Sequence, residues 1–329
     1  MDARQLGRKT MRVASIKTVM LAASALAVSG HTPARAEFPE KPIEMTVLFG
    51  GSAQTIGQVL ADQMSKQLGS PVVAVSRPGG GGAIGYSYVK DTAPDGYNIV
   101  WNSNSISTVH YQGNLPFGYD AFQPIARIGM EVPVVAVRSQ SGWDSLQDMV
   151  EKVKATGRPL KVGISGLGSF THLTAAALFD KLGMKVVYIP YGEGRAPAEL
   201  LAGRIDVAAQ WPSQFVPHVQ SGALKVLCQT GAKKTAGPID TPTCAEAGAE
   251  GLDVTMWRGL AAPANTPPEV IAKLEAAAKA ATDSEEFKKA AHNLGFTPAF
   301  LPASEFGQQI ESDDSTIASL MDQLGLKNQ

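Results

Sequence analysis

Short β-rich runs alternate along this chain with segments that repeat apolar residues at the helical period. Ile43 to Phe49 (IEMTVLF) predicts a strand. Thr55 to Leu68 predicts an amphipathic helix, with Ile56, Val59, Leu60, Met64 and Leu68 on one face. Further strands are predicted at Val72–Val75, Asn98–Trp101, Val132–Val137, Leu160–Ile164, Val186–Ile189, Ile205–Gln210 and Leu224–Gln229. Helices are predicted at Ser145–Thr156 and from Phe170 to Leu182. The last third reads as helical, at Pro268–Thr282, Ser284–Leu294 and Ser304–Leu324. This alternation predicts an α/β fold with largely parallel sheets. No repeat and no low-complexity linker divides the chain, so two domains would have to be joined through strands.

The N-terminus has a different pattern. Arg4, Arg8, Lys9, Arg12 and Lys17 precede or edge an apolar run, Val19 to Val28, and Ala34-Arg35-Ala36 ends the segment. A basic region, a short apolar core and an A-x-A site make a secretory signal. The run is too short for a bilayer, which needs about 20 apolar residues. Residues 1–36 are therefore expected to be a signal peptide cleaved near Ala36, with Met1 or Met11 as the start. The mature chain is expected outside the cytoplasm.

Composition narrows what the exported chain can do. The signal carries six of the 29 basic residues and one of the 30 acidic ones, which leaves 23 and 29, a net charge of −6. An acidic protein lacks the basic face that nucleic acid requires. It can still bind a small anion through helix termini and oriented amides. The two cysteines, Cys228 and Cys244, are either bridged or separately buried thiols, and a bridge would close 15 intervening residues.

The candidate motifs favour binding over catalysis. Gly80, Gly82 and Gly85 satisfy G-x-G-x-x-G, but Pro78 breaks the junction and Asn98 to Tyr119 holds no acidic residue for a ribose. These glycines read better as a turn, and no cofactor is implied. The histidines are scattered without metal-ligand spacing, and neither C-x-x-C nor G-x-S-x-G occurs. No enzyme activity is expected. Two strand-to-helix loops are more informative: Phe49-Gly50-Gly51-Ser52-Ala53-Gln54-Thr55 and Gly166-Leu167-Gly168-Ser169-Phe170-Thr171-His172. Each sets small residues and hydroxyls at a helix start, where they either cap the helix or hold an anion. Trp101, Phe170, Tyr191 and Trp211 follow or end strands, where open α/β sheets bind ligands, although ordinary core packing is the safer expectation for any one of them.

In order along the chain, several short motifs resemble the periplasmic receptors of tripartite tricarboxylate transporters, the Bug family. They are Phe38-Pro39-Glu40-Lys41-Pro42-Ile43, Arg77-Pro78-Gly79 with Gly81-Gly82 and Ile84-Gly85, and Pro94-Asp95-Gly96-Tyr97. Pro190-Tyr191-Gly192, Gly203-Arg204-Ile205-Asp206, and Pro242-Thr243 with Glu246-Ala247-Gly248 continue the series. Trp257 with Gly259-Leu260, Ala262-Pro263-Ala264 and Thr266-Pro267-Pro268 complete it.

The resemblance implies a two-domain periplasmic binding protein of the Venus-flytrap kind, type II-like, with two crossing hinge strands. Domain 1 would combine 37–137 with 227–329, and domain 2 would span 138–226. A small carboxylate would lie in the cleft, held by the first loop (Phe49, Gly50, Gly51, Ser52, Gln54, Thr55) and the second (Gly168, Ser169, Phe170, Thr171, His172). Ser103, Asn104, Tyr191, Asp206 and Trp211 would line it. The partners implied are membrane permease subunits, with the receptor itself a monomer. Presenting ligand to a sensor protein, or a secreted hydrolase, are the alternatives. The first loop departs from the family pattern P-F-x-P-G-G-x-x-D: it is shorter, lacks the proline, and has Gln54 where aspartate is usual. Glutamine donates as well as accepts, so the ligand is expected to be anchored differently.

Overall fold

The computed structural model describes residues 37–328 except Glu193 and Ala236, and the expected signal peptide lies outside the described residues. The chain begins with β1 (Ile43–Val47), α1 (Gly51–Leu68), β2 (Val72–Ser76), α2 (Ala83–Lys90), β3 (Asn98–Ser103), α3 (Ser105–Tyr111) and β4 (Phe122–Glu131). It continues through β5 (Val134–Arg138), α4 (Leu146–Thr156), β6 (Leu160–Ile164), α5 (Phe170–Lys181), β7 (Val186–Pro190), α6 (Ala196–Leu201), β8 (Val207–Gln210), α7 (Val216–Gln220) and β9 (Leu224–Gln229). It closes with β10 (Met256–Pro263), α8 (Pro268–Asp283), α9 (Glu285–Leu294), β11 (Thr297–Pro302) and α10 (Ala303–Gln323).

Two sheets result, in the orders β11-β4-β10-β3-β1-β2 and β7-β6-β8-β5-β9. Each is mixed rather than largely parallel. In the first, β1 runs parallel to β2 and β3, while β10 is antiparallel to β3 and β4. In the second, β6 is parallel to β7 and β8, while β5 is antiparallel to β8 and β9. The antiparallel strands are those that carry the chain between the sheets. A strand leaving one sheet and another returning to it run in opposite senses, which periodicity within single segments does not reveal.

The crossings are at Val132-Pro133 and in the segment 230–255. Backbone and side-chain bonds tie them together: Thr230 N–H and its hydroxyl both donate to Pro133 O, and Val254 N–H donates to Thr230 O. Helix α10 links the domains a third time. Its Ile317 and Met321 pack on Leu173 of α5, and Leu320 packs against the second sheet's core. The expected boundaries, 138 and 226, both fall inside strands of the second sheet.

Several elements differ from expectation. Strands β10 and β11 interrupt the C-terminal third, which is not wholly helical. β10 is buried along all eight residues, so it has no amphipathic period to read. β4 carries Pro124 and Gly129, which mask it. The four glycines Gly79–Gly82 all have positive φ, and a Cβ on Gly85 would sit 2.4 Å from Leu48, so this loop is a tight turn that lets α2 pack on β1.

Cys228 and Cys244 form a disulfide, both fully buried in the second sheet's core. The bridge holds the end of β9 to the turn after Thr243, where Cys244 N–H also donates to Gln229 O. Closing a loop of this size contributes about 3 kcal/mol by restricting the unfolded chain. The Cys228→Ser/Cys244→Ser variant should therefore melt several degrees lower in calorimetry, and an unchanged melting temperature would contradict a stabilising role for the bridge.

Candidate ligand cleft

Helix α1 begins four residues earlier than its apolar period suggests, because no proline stops it and the loop before it is short. Gly50 is the N-cap, in extended conformation, and Gly51 follows at φ 61°. No side chain caps this helix and its first turn has no acidic residue. Its N-terminal amides and dipole therefore present positive partial charge that no capping side chain takes up. Trp101 fixes the position of this terminus. Its Nε1 donates to Ala53 O at 2.9 Å, and Gly57 leaves room for the ring, since a Cβ there would lie 3.2 Å from it. Trp101 is fully buried in the first domain's core, the safer of the two roles open to it from its place at a strand end.

The second loop is organised differently. Ser169 caps α5 by accepting from His172 N–H, Thr171 Oγ1 accepts from Ser165 N–H at 3.0 Å, and His172 Nδ1 accepts from Gly168 N–H at 2.8 Å. Its amides and hydroxyls are thus largely committed to each other. Burial holds the His172 imidazole below its ordinary pKa, which suits the neutral ring that this acceptor role requires. Tyr188 lies edge-on at 4.6 Å, and its own burial pushes its hydroxyl up to about 12.

A chain of rings and one guanidinium connects the two helix starts. The ring centroids of Phe49 and Trp211 lie 5.6 and 5.5 Å from the Arg258 guanidinium carbon. Phe170, the first residue of α5, stacks on Trp211 at 6.3 Å. Arg258 belongs to β10 in the first sheet, whereas Trp211 follows β8 in the second. Arg258 is 2% exposed. Its Nε and Nη2 donate to Glu131 Oε2 at 3.3 and 3.0 Å, and Ser52 Oγ donates to Glu131 Oε1 at 2.6 Å. The Ser52 hydroxyl, expected to face ligand, is instead committed to Glu131. Gln210, just before Trp211, is also fully buried, with its Oε1 accepting from Ser165 and its Nε2 unpartnered.

Two further contacts join the domains. Gln112, at the end of α3, donates to Gly168 O. Gly295, after α9, abuts Pro212, where a Cβ would lie 2.8 Å away.

The remaining candidates separate. Ser103 is buried and its hydroxyl bonds Ser105. Asn104 donates to Thr255 O at the crossing, and its Oδ1 has no partner. With Phe170, Leu173, Thr255 and Trp257, Asn104 lines a 510 Å³ cavity between the crossing segments and α10. Gln54 and Thr55 are exposed on α1. Tyr191 packs on the small core around Ala196 and Leu200. Asp206 lies at the opposite end of β8 from Trp211, paired with Arg158 at 2.8 Å and accepting from Lys161 N–H. Glu131 and Arg258 escaped the sequence reading. The signal was a charged residue inside the otherwise apolar run MWRGLAAP, since such residues are seldom buried unpaired.

Two α/β domains joined through strands, with helix starts and aromatic rings meeting across the gap, define a periplasmic solute-binding receptor. The chain belongs to the tripartite tricarboxylate transporter receptor family, whose model, "Tripartite tricarboxylate transporter family receptor", matches residues 56–326. A UPF0065 protein of Bordetella pertussis is 30% identical over 97% of this chain and 98% of its own. Among solved structures, the periplasmic binding protein BugD superimposes with a TM-score of 0.78 at 28% identity, covering 89% of this chain and all of BugD. MatC from Rhodopseudomonas palustris, solved with bound malate, gives 0.75 at 25% identity over 86% of this chain and 99% of MatC. The family and these neighbours are binding receptors rather than enzymes.

The depressed His172 pKa has a consequence for stability. The unfolded chain takes up a proton near the ordinary histidine value of about 6.5 that the folded ring resists, so stability falls as pH drops through that value. Urea unfolding at pH 7 and pH 5 should show a larger loss for the wild type than for His172→Gln. Equal losses in the two proteins would contradict this assignment.

Proposed function

We propose that the mature chain, exported by its first 36 residues and cleaved near Ala36, binds a small organic carboxylate between its two domains. It then delivers the ligand, as a monomer, to membrane permease subunits of a tripartite transporter. The observation that carries this reading is the contact chain Phe49–Arg258–Trp211–Phe170, which sets the uncapped start of α1 opposite the start of α5. An uncapped helix start favours an anion. The match to the transporter receptor family and the malate bound in MatC support a carboxylate as that anion.

The two sides of the cleft play unequal parts in this reading. The first domain supplies the free amides around Gly50 and Gly51. The second supplies a preformed surface of Ser169, Phe170, Thr171 and Trp211, whose hydrogen bonds within the loop keep it in shape. Closure about Val132-Pro133 and Thr230 brings the two together, and the closed form is what the permease reads. The short first loop and Gln54 in place of the usual aspartate set this receptor's ligand apart from that of its relatives.

A thermal-shift screen of aliphatic, dicarboxylic and aromatic acids, with uncharged analogues alongside, tests the proposal. Ligand at 100 times Kd stabilises by about 2.7 kcal/mol, which moves the melting temperature by several degrees. At least one carboxylate should do so. Shifts by uncharged compounds alone would overturn the carboxylate assignment.

A further inference from the structure

Arg258 is the least conventional group in the cleft. A guanidinium has five N–H donors. In Arg258, Nε and Nη2 turn toward Glu131, whereas Nη1 is buried with no hydrogen-bond partner in the protein. Leaving a charged donor buried and unpaired is costly, so such a group calls for an acceptor. The surroundings state which kind. The ring centroids of Phe49 and Trp211, one from each domain, lie 5.6 and 5.5 Å from the guanidinium carbon, and the side chain is almost wholly buried. Ser52, in the uncapped first turn of α1, holds Glu131 from the far side. The nearest carboxylate is thus fully engaged with Nε, Nη2 and a serine hydroxyl. It fixes the guanidinium plane and leaves Nη1 without a partner.

We infer that Arg258 is the charged anchor of the cleft, taking a carboxylate oxygen of the ligand on Nη1, and that Glu131 and Ser52 are positioning residues that aim it. The inference rests on the reading of this cleft as a carboxylate site. It adds a residue and a selectivity rule to that reading. Glu131 balances the guanidinium charge, so the site before binding is a neutral pair beside a helix N-terminus. A ligand acid then forms a charge-assisted bond that its neutral amide does not match. The ligand class that follows is an acid bound through one ionised head, discriminated from its own amide by Arg258. The anchor also meets both domains, because the Trp211 ring of the second domain lies beside the guanidinium.

Calorimetric titration of the mature protein with malate, adipate and benzoate, and with malamide, adipamide and benzamide, tests this. Arg258→Gln is placed in a Glu131→Gln background so that no buried charge is left alone. The double variant should bind the acid about thirtyfold more weakly, the effect of losing a hydrogen bond to a charged group. Its preference for acid over amide should collapse, which a merely structural role would not cause. If the wild type binds one of these acids and the double variant keeps both affinity and preference, the receptor reading stands and the anchor is overturned. If the wild type binds none of them, the receptor reading fails for this acid class and the anchor fails with it. Should the double variant not fold, Arg258→Lys decides. An ammonium keeps the charge but cannot serve Glu131 and ligand with one planar fork, so acid binding should weaken about fivefold or more. Unchanged affinity in Arg258→Lys would overturn the proposal.

Discussion

The buried ion pair between Glu131 and Arg258 is the constraint around which the rest of this receptor is arranged. It joins the last residue of β4 to β10, the strands that leave and re-enter the first sheet. Both groups are almost wholly removed from water. Removing one partner of such a pair costs about 3–5 kcal/mol, because the other charge is left stranded. The pair therefore holds the two crossing strands in register where the chain passes between domains. Ser52 extends it into α1, and Trp211 extends it into the second domain. One electrostatic contact thus ties together the sheet, the helix start and the opposite wall of the cleft.

The division of labour between the two helix starts follows from local chemistry. Ser169 satisfies α5, and His172 and Thr171 use up neighbouring amides. Gly50 has no side chain with which to do the same for α1. An anion gains more at the second kind of terminus than at the first. In the proposed site, the second domain contributes rings and shape, and the first contributes an uncapped helix start beside the Glu131–Arg258 pair. Helix α10 and the bonds among Pro133, Thr230 and Val254 tie the two domains together.

Much of this was legible in the amino-acid sequence, and the parts that were not share a cause. Strands β1, β6 and β9 and helices α4, α5 and α8 to α10 follow from apolar periods and from caps such as Ser145 and Ser284. The two strand-to-helix loops stood out because small residues and hydroxyls preceded helical runs. β10 did not, because burial on both faces erases any period, and its one charged residue passed as noise. Glu131 stayed hidden for the same reason, since β4 was not seen. Asp206 was placed in the cleft by motif position alone. It lies at the end of β8 that the ladder from Lys161 fixes, far along the strand from Trp211. Trp101 was open to either a lining or a core role, and the glycine that admits it to the core, Gly57, lies a turn into a helix and signals nothing by itself. Pairing between distant segments set each of these outcomes, and that information is not local.

A crystal structure of the mature protein with a carboxylate bound tests the central claim most directly. The expected result is one carboxylate within hydrogen-bond distance of the first-turn amides of α1 and enclosed by Phe170 and Trp211 of the closed second domain. A carboxylate bound elsewhere, for example in the cavity between the crossing segments and α10 with the start of α1 untouched, would contradict the account.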